Sequence, residues 1–322
     1  MKLKVLRIAL HAFACIGLVQ SALAAYPEKA VKLVVAQTPG GAADIMGRMI
    51  AQKLSQRWGQ PVVVENRAGA GGNIGSEAVA KSPNDGYTLL MSSDGPMAIN
   101  GSLYKSLPFD LQRDFTPIAS IATFSFVLLV NNNVAAKTFP EFVKLAQGKP
   151  EMTLGNAGNG STNHLVGEVI KSSAKIKMTN VPYRGASEAM TDLLGGRIDA
   201  MISSVPAGAT RVDDGSLRAL VVSTEKRATR IPNVPTMIES GFPHEVSPSW
   251  FGLFGPANLS PDIVRKIHAD VSAILKEADM KERMAAQGLE PFENSREKFD
   301  ELWKSAIRKW GTVVKETGAE IN

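Results

Sequence analysis

Short runs rich in β-branched residues alternate with segments of helical periodicity along almost the whole chain. This alternation restricts the possible folds more than any other feature of the sequence. The first unit is Val31–Val35, followed by residues 42–57, where apolar side chains recur at helical spacing. Strand and helix in regular alternation are typical of parallel sheets covered by helices. The predicted fold class is therefore α/β.

Eight more strand candidates continue the alternation, and the segment from Ser260 onward is almost wholly helical. The candidates are residues 62–64, 87–91, 126–130, 152–154, 178–181, 198–202, 217–222 and 251–254. About 300 residues follow the N-terminal leader described below, more than one hydrophobic core usually organises. We therefore expect two lobes, with residues 25–124 and 247–322 in the first and residues 125–246 in the second.

The N-terminal residues have the pattern of a secretory signal peptide. Three basic residues precede an apolar run over residues 8–19, and small residues at positions 21–25 form a cleavage site. The apolar run is shorter than the roughly 20 residues that a membrane anchor needs. We expect residues 1–24 to be removed and the mature protein to be periplasmic.

Cys15 is the only cysteine, and it lies inside this leader. The mature chain therefore has no disulfide, no thiolate nucleophile and no cysteine-ligated metal. A lipoprotein modified at Cys15 is a competing interpretation, but Phe13 puts a bulky side chain where small ones are expected. Removal of Lys2, Lys4 and Arg7 lowers the formal net charge from +5 to +2 (5 − 3). This balance gives no support for binding to nucleic acid or to a membrane surface.

The first glycine-rich turn joins the strand Val31–Val35 to the helix that follows. Two glycines let the backbone approach a ligand, and unpaired N–H groups at the start of a helix attract an anion. The alternative is a tight turn in which the acidic residue only caps the helix. The candidate ligand contacts here are Pro39, Gly40, Gly41, Ala42, Ala43 and Asp44.

A second glycine-rich turn, residues 69–75, superficially suggests a dinucleotide-binding fingerprint. That fingerprint requires G-x-G-x-x-G directly at the end of a strand. Ile74 occupies the position of the third glycine, and four residues separate the motif from the strand candidate that ends at Val64. A nucleotide site is therefore disfavoured, and we expect no cofactor.

A third glycine-rich turn, residues 155–164, gives the second half of the chain a matching helix start. Its alternative interpretation is simple N-capping by Ser161 or Thr162. Two serine pairs also follow strand candidates and are expected to face the same cleft. The candidate contacts from these segments are Asn156, Gly158, Gly160, Ser161, Thr162, His164, Ser92, Ser93, Ser203 and Ser204.

The sequence contains no recognisable catalytic constellation. The residues around Ser161 have the wrong spacing for a G-x-S-x-G nucleophile elbow. His164 and Glu168 are four apart on a predicted helix and could share a metal, but no second histidine accompanies them. No pair of carboxylates is placed for acid–base chemistry. We expect neither an enzyme nor a metal site.

Further motifs complete a pattern that spans the chain after the leader, in order. They are Tyr26-Pro27, Pro39-Gly40-Gly41 with Asp44, Glu65-Asn66-Arg67 with Gly71-Gly72-Asn73, Asp85-Gly86-Tyr87, Gly158-Asn159-Gly160-Ser161, Tyr183-Arg184-Gly185, Gly195-Gly196, Pro232-Asn233-Val234-Pro235 and Trp250. With these motifs the sequence resembles the Bug family, which comprises the extracytoplasmic solute receptors of tripartite tricarboxylate transporters.

The resemblance implies a two-lobed periplasmic binding protein of the type II, Venus flytrap kind, with a ligand cleft between the lobes. It implies ligand-binding roles for residues 39–44 and 158–164, and it extends them to Ala70, Gly71, Arg184 and Gly185. The implied ligand is a dicarboxylate, tricarboxylate, acidic amino acid or aromatic acid. The implied partners are the membrane permease subunits of such a transporter.

Two positions depart from the pattern of this family. Thr38 stands where the family often has an aromatic residue, and Ser203-Ser204 stands where it often has an aromatic residue and an aspartate. Both differences predict a smaller or more polar rim of the pocket. A receptor that docks on a sensor kinase is the alternative function, and it would use the same pocket. We expect a monomer in either case.

Overall fold

Two mixed β-sheets, each flanked by helices, organise the computed structural model, which describes residues 26–159, 161–242 and 248–317. The predicted signal peptide over residues 1–24 lies outside the described residues. Within the described ranges, no helix combines the length and the apolar character needed to cross a membrane.

The first sheet and its helices form the first lobe. Its strands are β1 (Val31–Val35), β2 (Val62–Asn66), β3 (Thr88–Ser93), β4 (Phe115–Phe124), β10 (Ser249–Pro256) and β11 (Glu290–Pro291). They lie in the order β11-β4-β10-β3-β1-β2. The helices of this lobe are α1 (Ala42–Trp58), α2 (Asn73–Ala80), α3 (Asn100–Leu103), α8 (Pro261–Lys276), α9 (Ala278–Ala286) and α10 (Arg296–Thr317), with a 3-10 turn at Ala70–Gly72 and a π-helical turn at Gly95–Ile99.

The second sheet and its helices form the second lobe. Its strands are β5 (Phe126–Asn131), β6 (Thr153–Asn156), β7 (Thr179–Pro182), β8 (Ala200–Ser204) and β9 (Leu217–Val222), in the order β7-β6-β8-β5-β9. The helices are α4 (Phe139–Gly148), α5 (Thr162–Ala174), α6 (Ala186–Leu194) and α7 (Val205–Asp213). The inner strand β5, between β8 and β9, is buried along its entire length, which explains its continuous apolar sequence.

The prediction of parallel sheets is right for only part of each sheet. β1 pairs in parallel with β2 and β3, and β6 pairs in parallel with β7 and β8. β10 runs antiparallel to β3 and β4, and β5 runs antiparallel to β8 and β9. The long-range pairing of β10 with strands more than a hundred residues earlier leaves no local signature, so alternation alone suggested parallel sheets.

Two strands are missing from the sequence-based prediction. β4 contains Pro117 and several small residues, which weaken the strand pattern. The two-residue strand β11 interrupts the tail that was expected to be almost wholly helical, and it pairs with the end of β4.

The chain passes from the first sheet to the second at Ser125 and returns between Val222 and Ser249. At the first crossing, the hydroxyl oxygens of Ser125 and Thr224 lie 3.0 Å apart at hydrogen-bonding distance. The division of the chain near residues 124 and 246 stays a proposal for the limits of the lobes.

The C-terminal helix α10 closes the first lobe over the π-helical turn. Phe299 and Trp303 are 1% exposed and pack against Phe254 of β10. The indole N–H of Trp303 donates to the main-chain carbonyl of Met97. This contact ties the helix to the segment that directly follows β3, and β3 ends at the ligand cleft described below.

We predict that Trp303→Phe lowers the free energy of unfolding by about 2 kcal/mol, because a buried carbonyl loses its donor and a cavity is left. Urea unfolding measures this change. Trp310→Phe on the same helix is the matched control, since the Trp310 indole N–H has no hydrogen bond among the described residues. Equal losses in the two variants would contradict the role given to the Met97 contact.

Candidate ligand-binding site

A cavity lies between the two lobes, at the carboxyl ends of strands from both sheets. It encloses about 610 Å³, with open solvent at its mouth included. Ligands of open α/β sheets bind in this position, outside the carboxyl ends of the strands. The first lobe and the crossing contribute Ala36, Gln37, Thr38, Gly41, Ala42, Gly69, Gly71, Gly72, Ser93, Pro96, Phe124 and Phe126. The second lobe contributes Ala157, Ser161, Thr162, Asn163, Arg184, Gly185, Ala186 and Ser204.

Helical segments from both lobes begin at this cavity. Gly41 and Ala42 start α1, and the 3-10 turn that leads into α2 contributes Gly71 and Gly72. In the second lobe, the N-cap residues of α5, α6 and α7 all belong to the lining. The first N–H groups of a helix have no partner within the helix and carry partial positive charge. The cavity is therefore suited to an anion.

The side chain of Asp44 stabilises the first glycine-rich turn by hydrogen bonds. Its carboxylate accepts hydrogen bonds from the Gly40 N–H at 2.9 Å, from Arg48 Nε at 3.0 Å and from Asn66 Nδ2 at 3.0 Å. Gly40 has φ +79°, a conformation strained for any residue with a Cβ. Burial tends to raise the pKa of Asp44, but the hydrogen bonds from Arg48, Gly40 and Asn66 outweigh it and lower the pKa.

Within this turn, the predicted residues therefore divide into two groups. Gly41 and Ala42 line the cavity. Pro39, Gly40, Ala43 and Asp44 lie beside it, outside the lining. The middle turn divides in the same way, because Gly71 lines the cavity and Ala70 is exposed outside the lining.

The hydroxyl groups of Ser161 and Thr162 are already engaged within the protein. Ser161 Oγ accepts from the His164 N–H at 3.2 Å and donates to the Gly158 carbonyl at 2.7 Å, so it is the N-cap of α5. Thr162 Oγ1 donates to Asp94 at 3.1 Å. The capping interpretation of Ser161 is thus correct, and both residues face the cavity with their hydroxyls already bonded.

Asn156, Gly158 and His164 of this turn lie outside the lining of the cavity, as does Ser92 after β3. Asn156 Oδ1 accepts from the Gly158 N–H at 3.0 Å. Asn156 Nδ2 and Ser92 Oγ are buried and have no hydrogen-bond partner among the described residues. Gly160 lies outside the described residues.

His164 belongs to a polar cluster on α5. Its Nε2 lies 3.2 Å from Asn180 Nδ2 and 3.4 Å from Glu168 Oε1, and Lys171 Nζ lies 2.7 Å from the same carboxylate oxygen. Burial raises the pKa of Glu168, but hydrogen bonds from His164, Lys171 and Asn180 outweigh it and lower the pKa to about 2. In the described part of the chain, no three His, Cys, Asp or Glu residues are grouped to hold a metal.

Arg184 supplies the only charged side chain among the described lining residues. It is exposed, and its guanidinium forms no hydrogen bond or ion pair with the residues that the structure describes. Its neighbour Gly185 approaches Thr38 of the other lobe so closely that a Cβ at this position would lie 2.4 Å from the threonine side chain. Ser204 lines the cavity, while Ser203 is fully buried and donates to the Ser204 carbonyl at 3.1 Å.

Two aromatic residues of the lining were not predicted from the sequence. Phe124 and Phe126 flank the crossing at Ser125, with ring centroids 5.3 Å apart. Their position could be recognised only after β4 had been identified, since the two residues then become the adjacent ends of strands in different sheets. The other lining residues that the sequence did not indicate are Ala36, Gln37, Gly69, Gly72, Pro96, Ala157 and Ala186.

The lobes contact each other directly around the cavity. Ser187 Oγ of α6 donates to the Pro39 carbonyl at 2.7 Å and lies 3.3 Å from Thr38 Oγ1. Tyr104 donates to the Asn159 carbonyl at 3.0 Å. The structure therefore has the two lobes closed on each other.

Asp94 is a third contact between the lobes. It is 3% exposed, and its Oδ1 accepts hydrogen bonds from Thr162 of α5 and from Ser249 of β10. Burial raises the pKa of Asp94 to about 6, although the hydroxyls of Ser249 and Thr162 and the Gly95 N–H act in the opposite direction. The carboxylate is thus held ionised at neutral pH at a cost in stability.

With this geometry established, similarity to known proteins identifies the family. The sequence model of one protein family, the tripartite tricarboxylate transporter family receptor, matches residues 46–319. The chain belongs to this family. BugT of Bordetella pertussis is 35% identical to the receptor over 298 residues, which cover 92% of this chain and 91% of BugT. The predicted Bug-family resemblance is confirmed.

Solved structures of similar receptors confirm the fold. The periplasmic binding protein BugD is 30% identical with a TM-score of 0.88, and the match covers 92% of this chain and 99% of BugD. R. palustris Rpa4515 with adipate is 33% identical with a TM-score of 0.88, and the match covers 91% of this chain and 98% of that protein. The receptor therefore has the predicted two-lobed periplasmic binding protein fold. The proteins of this family are solute-binding receptors and not enzymes.

We predict that Asp44→Ala loosens the turn at residues 38–41, because the Gly40 N–H and the side chains of Arg48 and Asn66 lose their acceptor. Hydrogen exchange measured by mass spectrometry should become faster in peptides that cover residues 36–46. Asp262→Ala is the matched control, since Asp262 also lies in the first turn of a helix but pairs only with an exposed arginine. Unchanged exchange in Asp44→Ala would contradict this role.

We also predict that Asp94→Asn stabilises the protein at pH 7. The folded-state pKa of Asp94 is raised, so the folded protein holds an extra proton between pH 4 and 6 and loses stability as the pH rises through this range. The asparagine should remove this loss. The free energy of unfolding of Asp94→Asn should therefore exceed that of the unmodified protein by on the order of 3 kcal/mol at pH 7, and the two should be nearly equal at pH 4.

Urea unfolding of Asp94→Asn and of the unmodified protein at several pH values between 4 and 7 measures this difference. Asp262→Asn, at an exposed aspartate, is the control and should show no such trend. A difference that is constant across the pH range would show that ionisation of Asp94 is not the cause.

Proposed function

We propose that this receptor captures a small carboxylate in the cleft between its lobes and delivers it to the membrane subunits of a tripartite tricarboxylate-type transporter. The observation that carries the proposal is the convergence of helix starts from both lobes on one cavity. Membership of the receptor family and the adipate held by Rpa4515 support the ligand class. The proposal includes export to the periplasm by the leader at residues 1–24.

In the proposed binding mode, the main chain supplies most of the contacts to the carboxylate. Gly41 and Ala42 present the start of α1, and Ser161 and Thr162 present the start of α5. The hydroxyls of Ser161 and Thr162 are already bonded within the protein, and the Ser161 N–H donates to the Gly158 carbonyl at 3.1 Å. The Thr162 N–H is therefore the donor of this turn that is assigned to the ligand. Arg184 adds a full positive charge at the exposed side of the cavity.

A ligand that bridges both lobes favours the closed state. It can shift the populations of open and closed receptor only by its difference in affinity for the two states. The Gly41 N–H already donates to the Thr38 carbonyl at 3.2 Å, so contacts with the Ala42 N–H on one lobe and with Thr162 or Arg184 on the other provide that difference. The membrane subunits would then recognise the surface that only the closed receptor presents.

A thermal-shift screen of the mature protein against succinate, malate, glutarate, adipate and citrate tests the ligand class. Bound ligand is first removed by unfolding and refolding. A ligand at one hundred times its Kd should raise the stability by about 2.7 kcal/mol, which shifts the midpoint by several degrees. Sodium chloride at matched ionic strength is the control. A lack of any shift across the panel would contradict the proposal.

Arg184→Gln should weaken binding of the best dicarboxylate of the panel roughly tenfold, because a charge-assisted hydrogen bond is lost. Isothermal titration calorimetry measures the affinity. Arg211→Gln is the matched control, since Arg211 is a surface residue of α7 that pairs with Asp214. Equal affinities of Arg184→Gln and the unmodified receptor would remove Arg184 from the site.

A further inference from the structure

The described lining of the cavity contains hydrogen-bond donors and a positive charge that can bind an anion. It contains no negatively charged side chain that could bind a cation. Arg184 is its only charged side chain, and the remaining polar side chains are neutral hydroxyls and amides, in the part of the chain that the structure describes. Neither aspartate of the adjoining segments belongs to the lining. Asp44 is directed to Gly40, Arg48 and Asn66, and Asp94 is directed to Thr162 and Ser249.

Several neutral polar side chains of the lining already form hydrogen bonds within the protein. Ser161 Oγ donates to the Gly158 carbonyl, and Thr162 Oγ1 donates to Asp94. Asn163 Nδ2 donates to the Ile202 carbonyl at 2.8 Å. A buried ammonium group needs a charged partner to offset its lost hydration, and these neutral groups do not supply one.

The electrostatic field of the site acts in the same direction. Partial positive charge at the starts of α1, α5, α6 and α7 stabilises anions and destabilises cations. The guanidinium of Arg184 adds to this effect. An α-amino acid would bring its carboxylate to favourable donors, but its ammonium group would enter the same positive region.

The aromatic side chains give little compensation. An ammonium group can bind to the face of a phenylalanine ring. One face of Phe124 is covered by Phe251, stacked with ring centroids 4.5 Å apart, and its neighbour Phe126 packs against it edge to face. Both lining rings are at most 5% exposed. The apolar surface is therefore suited to the carbon chain of a ligand.

We infer that this receptor selects carboxylates without an amino group over α-amino acids of the same carbon skeleton. The inference rests on the proposed carboxylate-binding function and narrows its ligand class. It assigns the discrimination to the absence of a carboxylate among the lining residues that the structure describes.

Matched pairs of ligands test this selectivity on the mature receptor by isothermal titration calorimetry. The pairs are succinate and aspartate, glutarate and glutamate, and adipate and 2-aminoadipate, which differ within each pair only by the amino group. In every pair that binds, the amino acid should bind at least tenfold more weakly. Equal or tighter binding of the amino acids would overturn the inference and leave the carboxylate function intact. Binding of neither member of any pair would count against the proposed function itself.

A second experiment tests the cause of the selectivity. Gln37 lines the cavity, and its amide lies 3.5 Å from Ser93 Oγ, so Gln37→Glu adds a carboxylate with almost no change in shape. The ratio of dicarboxylate to amino-acid affinity should fall about tenfold in this variant. Gln52→Glu, on the exposed face of α1, should leave the ratio unchanged. An unchanged ratio in Gln37→Glu, or an equal fall in both variants, would overturn the electrostatic cause.

Discussion

The convergence of helix starts on one cavity is the constraint on which the rest of the structure depends. Each start needs a strand that ends beside it and a turn short enough to reverse the chain, so glycines and small polar residues fill these turns. The two lobes also contact each other directly, and such a contact requires a residue without a side chain where Gly185 meets Thr38. The positive character of the site thus comes from the main chain, and only one charged side chain, Arg184, joins it among the described lining residues.

Local sequence patterns predicted the elements that depend on local interactions. β1, α1 and the turn between them follow from apolar periodicity and two glycines, and the α/β class follows from their repetition. β4 was not predicted from the sequence, because Pro117 and its small residues adopt the strand conformation through pairing with β10, which is far away in the chain. The antiparallel direction of β5 and β10 was missed for the same reason, since strand direction depends on the partner.

The candidate site was predicted where a turn is visible in the sequence and missed where two distant segments meet. The glycine-rich turns brought Gly41, Gly71 and Ser161 to the cavity. The direction of a side chain was not predictable, so Asp44 and the hydroxyl of Thr162 proved to serve the protein's own turns and contacts. Phe124 and Phe126 became recognisable as lining only from the position of the crossing between them.

The crossing at Ser125, where the hydroxyl oxygens of Ser125 and Thr224 are at hydrogen-bonding distance, has a consequence for how the cleft would open. If the lobes rotate about this crossing, the displacement of a residue grows with its distance from the crossing. Phe124 and Phe126 lie directly beside it, while Arg184 and Gly185 lie on the turn that meets Thr38 of the opposite lobe. The aromatic part of the cleft would therefore keep its shape while Arg184 swings away. A bound molecule would lose its contacts in a fixed order, beginning at the arginine and ending at the rings.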